Sequence, residues 1–242
     1  MDDSVGLEDA VQTWTKQPAI YGMSLEVLEE KHGCNNLKDH IQHFINNVLA
    51  ESGVPRLSNA RLRTCNLRFD RVAIYHRFKF IGLNGTTLDA IKARPAREIQ
   101  PARYDIAVVC VNDGAASTGL DGHRIGHVKA IFALPNRICV QGYWMDAPAQ
   151  WPRTPLAYVE WYNMDGPHSL HNMYKVDKPH LSSSGCALAA VIELETIWES
   201  CMLIPRFHGP VDAEWTSENV LDHCSSFWLN NWQHKCTYST MW

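Results

Sequence analysis

The chain has 242 residues, 45% of them hydrophobic and 20% charged, with 9 Trp; this is apolar material enough for a sizeable core and excludes wholesale disorder. Every apolar run falls short of the ~20 residues that a membrane helix needs, and the acidic opening MDDSVGLEDAVQTW has no apolar signal segment, so an intracellular chain is expected. The net charge of −4 conceals an asymmetry: between Arg56 and Arg103 there are 11 Lys/Arg against 3 Asp/Glu, a local +8 that leaves −12 on the rest.

Residues 1–22 show no period and predict an extended lead-in. MSLEVLEEKHGCNN predicts a short helix capped by Ser24 and ended by Gly33. In NNLKDHIQHFINNVLAESG, Leu37, Ile41, Phe44 and Val48 recur at helical spacing up to Gly53. The period then becomes two. In DRVAIYHRFKFIG, one face carries Val72, Ile74, Phe78 and Phe80, interrupted by His76, and the other carries Tyr75, Arg77 and Lys79. LNGTT predicts a turn around Asn84-Gly85, and TLDAIKARPAREIQPAR a helical turn or basic loop broken by Pro95 and Pro101. RYDIAVVCVND is apolar enough for a central strand. After the loop NDGAASTGLDG, strands are expected at RIGHVKAIF, RICVQGYW, LAYVEWYN and NMYKVDK. AAVIELETIWESCMLIPRF predicts strand, short turn, strand; TSENVLDHC one or two helical turns capped by Thr216 or Ser217; and SFWLNNW a last strand. Many short strands with Gly/Pro turns predict a mainly β (α+β) chain, a small β-barrel or sandwich with an N-terminal helical pair. The expected division is a lead-in and helical pair over 1–55 and a β-rich domain over 56–242.

His123 and His127 have the i, i+4 spacing of a zinc grip on a helix. Gly122, Gly126 and the alternation of Val128, Ala130 and Phe132 with His127, Lys129 and Ile131 predict a strand instead. The two would then lie ~13 Å apart, as surface or edge residues rather than a chelate. His223, Cys224, His234 and Cys236 have zinc chemistry, but neighbouring side chains diverge and the spacing matches no common module. Asp105, Asp113 and Asp121 could be metal acids, with turn roles preferred for Asp113 and Asp121. No phosphate-binding Gly loop, HExxH or GxSxG occurs. Eight Cys without a CxxC pair predict thiols rather than a disulfide framework, with Cys110, Cys139 and Cys201 as small core residues. In LAYVEWYN, Tyr158, Glu160 and Tyr162 share a strand face that can be exposed, and Ala157, Val159 and Trp161 form the core face. With Tyr174 nearby, that first face could cage a methylated ammonium or belong to ordinary core. The basic segment offers Arg61, Arg63, Arg68, Arg71, Arg77, Lys79, Arg94 and Arg97 to nucleic acid, the competing reading being a solvated strand face and an arginine loop.

The ordered series FDRVAIYHRFKF, IKARPAR, PARYDIAVVCVND, TGLDGHRIGHVKAIFALP, LAYVEWYN, MYKVDK, VIELETIWESCMLIPRF and EWTSENVLDHCSSFWLN resembles the C-terminal region of Plavaka-type and KDZ-like transposon proteins of basidiomycete fungi, over about Met23 to Tyr238. The resemblance implies a fungal, transposon-derived protein. The acidic, metal-dependent nuclease core of such transposases would lie upstream, so no catalytic acid carries over. RIGHVKAIF, AYVEWY, MYKV and VIELETIWESCMLIP also look like the strand order of a bromo-adjacent homology (BAH) domain, a β-barrel chromatin module. That likeness implies core or reader roles for Trp161, Tyr162 and Tyr174. Together these imply a nuclear, non-enzymatic interaction module without cofactor, partnered by protein or chromatin. Direct nucleic-acid binding and a remnant nuclease are the alternatives.

Overall fold

The computed structural model describes residues 11–15, 17–81, 85–112, 120–179, 181, 186–207, 209–210, 213–216 and 219–230. In chain order the elements are β1 (Val11–Trp14), β2 (Ile20–Ser24), α1 (Leu25–His32), α2 (Leu37–Glu51), α3 (Asn59–Leu62), β3 (Arg71–Tyr75), β4 (Arg77–Ile81), β5 (Thr87–Arg94), β6 (Arg103–Tyr104), β7 (Ile106–Cys110) and β8 (His123–Ala133). There follow β9 (Arg137–Val140), β10 (Tyr143–Asp146), β11 (Leu156–Trp161), β12 (Asn163–Pro167), β13 (Tyr174–Asp177), β14 (Ala189–Glu193), a 3-10 turn (Leu194–Thr196), β15 (Ile197–Cys201), β16 (Leu203–Pro205), α4 (Val220–His223) and β17 (Ser226–Leu229).

The helical pair forms where the capping signals put it. The Ser24 hydroxyl accepts from Val27 N, and Gly33 at φ 66° closes α1 in the left-handed conformation that glycine adopts without strain. α2 buries Leu37, Ile41 and Ile45. The extended lead-in contains two paired strands, β1 against β4 and β2 against β3.

Among the described residues all strand pairs are antiparallel and no sheet closes on itself, so of the barrel or sandwich expected the barrel is not formed. The largest sheet has seven strands, with β8 at its centre. β11 lies along one edge of β8; β3 and β7 share the other, β7 pairing its first half and β3 its last. A second sheet runs β1-β4-β5-β6 and a third β12-β13-β17-β16.

Four expected elements change. The strand drawn through His76 is two strands, because the chain bends there and passes from one sheet to another. Val72 and Ile74 therefore pack under the helices, whereas Phe78 and Phe80 pack between sheets. The stretch Thr87–Arg94, expected as helical turn or loop, is β5, in which Ile91 and Ala93 are buried between outward Lys92 and Arg94. RICVQGYW is a hairpin, since Gln141 and Gly142 both take positive φ, the geometry of a two-residue primed turn. β8 departs from strict alternation. Val128 pairs with Val159 and Ala130 with Tyr158, leaving Lys129 as an extra residue, a β-bulge. Beyond it the inward parity reverses, so Val128 and Ile131 enter one core while Ala130 and Phe132 enter another.

The two faces of the large sheet are thus unlike. One packs on the β1-β4-β5-β6 sheet through Phe78, Phe80, Ile91, Val109, Val128, Ile131, Val159 and Trp161. The other is divided: α1 and α2 cover Ile74, Phe132, Leu156 and Tyr158, and the β12-β13-β17-β16 sheet covers Ile106, Val108, Ile125 and Tyr162. His123 and His127 do lie on a strand, but as buried residues, 5% and 6% exposed, not at the surface or an edge. His123 meets the Trp198 ring, and His127 Nε2 donates to the Tyr104 carbonyl at 3.2 Å. The seven described cysteines are free thiols; Cys201 is buried, while Cys110 is half-buried and Cys139 is exposed, so those two are not the core residues expected. No helix among the described residues is long and apolar enough to cross a membrane.

Two outcomes follow from this packing. A Cβ on Gly126 would lie 2.2 Å from Val159 Cγ1 and 3.3 Å from the Trp161 ring, so Gly126→Ala should cost about 1–3 kcal/mol of overpacking, measured by denaturant unfolding. Burial pushes His127 down to about 3, so between that value and the ~6.5 of an unfolded histidine the unfolded chain binds the extra proton. Stability is then lost as pH falls through that window, by about 1.4 kcal/mol per pH unit for this group. His127→Gln should lessen the slope of unfolding free energy against pH by that amount.

Candidate nucleic-acid interface

The alternation that buries Phe78, Phe80, Ile91 and Ala93 fixes what the outer face of the β1-β4-β5-β6 sheet must show. Side chains alternate along a strand, so the residues between them, Arg77, Lys79, Lys92 and Arg94, point outward. Register then sets like charges opposite one another. Arg77 faces Lys92 across β4 and β5, and Arg94 faces Arg103 across β5 and β6. Directly opposed like charges each cost a sheet about 0.2–1 kcal/mol. A buried Phe contributes about 1.5–3 kcal/mol, so the inner face holds the pairing in spite of the outer one.

The four cations line a cleft of about 470 Å³ with Thr15, Gln17, Ala19 and His76. His76, at the bend between β3 and β4, is pushed down to about 4, chiefly by burial and then by the Arg97 guanidinium. Held neutral, it accepts at Nδ1 from Arg97 Nη2 at 3.3 Å. Arg94 donates to Gln100 Oε1 and, at 3.5 Å, to the Pro101 carbonyl. Arg103 Nε donates to Asp105 Oδ1 at 3.0 Å, the one carboxylate ion pair described on this face. Arg97 and Gln100 close a tight turn by mutual backbone hydrogen bonds of 2.8 and 2.7 Å, and Ile99 at its tip is 93% exposed.

Of the basic residues named from the sequence, Arg77 and Arg94 line the cleft and Arg97 reaches its wall through His76, while Lys79 lies on the same sheet outside the lining. Arg61 and Arg63 lie on and just after α3, and Arg68 lines a groove beside α2 and Trp151. Arg71 opens β3 and donates to the Gly22 carbonyl at 2.8 Å. These four belong to other surfaces. Lys92 and Arg103 complete the cleft and were not named as site residues; Lys92 lies in the stretch expected as helical turn or loop. The alternation Ala90-Ile91-Lys92-Ala93-Arg94 was the signal for the first of them.

The aromatic surface is corrected. Tyr158 and Tyr162 are 1% and 5% exposed, because β11 is covered on both faces. The Tyr158 hydroxyl donates to the Asn35 carbonyl at 2.8 Å, and the Tyr162 ring meets Phe227 edge-on. Glu160 is half-buried beside them, and Tyr174 lies half-buried on β13. No group of three or more metal-ligating side chains occurs among the described residues. Cys224 is buried and donates to the Ser226 carbonyl, and His223 stacks on Trp215; His234 and Cys236 lie outside the described residues, as do Asp113, Asn84 and Ser217. Asp105 serves structure: its carboxylate also accepts from Lys92 N at 2.8 Å.

No family model, curated protein or solved structure matches the chain.

If the facing cations repel as their register requires, replacing one with a neutral β-former relieves the sheet. Lys92→Thr should raise unfolding free energy by a few tenths of a kcal/mol at low salt, with the gain fading as salt screens the pairs. Urea unfolding at two ionic strengths checks this.

Proposed function

We propose that the chain is a non-enzymatic nucleic-acid-binding module that grips the phosphate backbone on the outer face of β4, β5 and β6. The observation that carries this reading is the pair of like-charge oppositions, Arg77 with Lys92 and Arg94 with Arg103, around one cleft. A surface that gains nothing from such pairs in isolation gains on contact with a polyanion, which neutralises them and releases its own counterions. Arginine suits the task, since its planar fork meets phosphate oxygens in pairs. Ile99 beside the arginines adds an apolar contact of the kind that minor-groove proteins press against base steps. The resemblance to transposon proteins fits a DNA partner, and a nuclear, chromatin-bound setting belongs to the same proposal. The aromatic-cage alternative is weaker, because Tyr158 and Tyr162 commit their rings to the core.

Binding of a labelled duplex, followed by anisotropy, tests the reading. Engagement of the cleft's four cations and Arg97 predicts a slope of log affinity on log salt of about −4 to −5. Arg94→Ser or Arg77→Ser should each lessen that slope by about one and weaken all sequences alike. Arg61→Ser, on α3, should leave it unchanged. A duplex and a single strand that both fail to bind at ~50 mM salt would overturn the proposal.

A further inference from the structure

A second cavity opens on the divided face of the large sheet, where the helical cover ends and the β12-β13-β17-β16 sheet begins. It measures about 210 Å³, smaller than the ~300 Å³ at which drug-sized pockets start. The β8 bulge builds its floor. Lys129, the extra residue, lines it, and so do His127 and its cross-strand partner Glu160. Tyr162 enters from the end of β11, Lys178 from just beyond β13, and Asp222 from α4 at the rim. Trp161, Leu181 and Leu221 supply apolar wall.

The charges in this cavity are neither dispersed nor closed on one another. Lys129 Nζ rests over the Tyr104 ring at 4.5 Å, and Lys178 Nζ donates to the Asp222 carbonyl at 2.7 Å. Among the described residues no salt bridge joins Glu160 to either lysine. Tyr162 lines the cavity with its ring packed against Phe227, and its hydroxyl makes no hydrogen bond to another described residue. A ligand that accepts from it gains a hydrogen bond of about 0.5–1.5 kcal/mol. The cavity therefore offers two ammonium groups and a phenol as donors, a carboxyl group as acceptor, and an apolar wall.

We propose that this cavity binds a small zwitterion of the α-amino-acid class with an apolar side chain. Lys129, Lys178 and the Tyr162 hydroxyl take its carboxylate, Glu160 takes its ammonium, and Trp161, Leu181 and Leu221 receive the side chain. The mixed lining decides between ligand classes. A plain anion would meet Glu160 and Asp222 as well as the lysines, and a plain cation would meet the lysines; a ligand carrying both signs satisfies both sets. Burial raises Glu160 against the pull of Lys129 and Lys178, and lowers Lys178, as expected of charges that have lost water and await a partner.

Calorimetric titration of the full chain with L-leucine, L-valine and L-phenylalanine tests this. At least one should bind, and its amine-only and acid-only analogues (isoamylamine and 4-methylpentanoate for leucine) should bind at least about tenfold more weakly. Glu160→Gln and Lys178→Met should each cost about tenfold, while Arg61→Ser, on α3 and outside both sites, should leave amino-acid binding unchanged. No binding of any of the three at ~10 mM, or analogues that bind as well as the amino acid, would overturn the proposal. The analogue comparison uses the unaltered chain, so it decides even if a variant fails to fold.

Discussion

Lys129 is the residue that β8 carries in excess of its neighbour β11, and its insertion reverses the inward parity of the strand. The consequence reaches both ends of the sheet. Before the bulge, His123, Ile125 and His127 share a face; after it, Ala130 and Phe132 continue that same face. Without the extra residue, Phe132 would turn into the layer that receives Phe78, and the helices would lose their largest contact on β8. The bulge's carbonyl is not left bare: His32 Nδ1, at the end of α1, donates to it at 2.8 Å. The helical pair is thus tied to the one irregular residue of the central strand.

The outer sheet shows how a sequence can carry charge that folding does not want. The outward positions Arg77 and Lys79 of β4, Lys92 and Arg94 of β5 and Arg103 of β6 are basic, and the inner positions Phe78, Phe80, Ile91 and Ala93 are almost completely buried. The apolar side supplies the larger free energy, so register is set from within and the cations have no freedom to separate by sliding. Segregating +8 into this stretch of the chain makes spatial sense only in part, because the bend at His76 sends Arg77 and its successors one way, and α3 carries Arg61 the other.

Much of the fold was legible because period and caps are local signals. Ser24, Gly33 and the α2 stripe act within a few residues, and most strands alternate. What was not legible is tertiary. Tyr158 and Tyr162 alternate with a core face, as half-exposed residues would, yet a second layer covers them. β5 was hidden because Pro95 and the arginines suggested a broken segment, whereas the proline falls just after the strand, where its missing N–H costs no ladder bond. The bulge at Lys129 leaves no trace in residue types: the alternation across it looks regular, and only pairing with β11 reveals the extra residue. Cys139 shows the same limit, an apolar neighbourhood in sequence that becomes the outer side of a hairpin.

The segment Arg103–Tyr104–Asp105 joins the two surfaces. Arg103 completes the basic cleft, and the Tyr104 ring lies beneath Lys129 in the second cavity. Asp105, between β6 and β7, faces both ways. Its carboxylate holds Arg103 Nε and Lys92 N, while its carbonyl accepts from Val128 N at 3.0 Å, one residue before the bulge. Three hydrogen bonds from one acid therefore fix the spacing between the cationic face and the central strand. Asp105 looked from the sequence like a possible metal ligand. Its carboxylate instead accepts from one main-chain amide and one guanidinium, and no group of metal-ligating side chains surrounds it among the described residues. Its negative charge also offsets one of the four cations at the cleft's edge, so the attraction for a polyanion is strongest toward Arg77, Lys92 and Arg94, where no carboxylate intervenes among the described contacts.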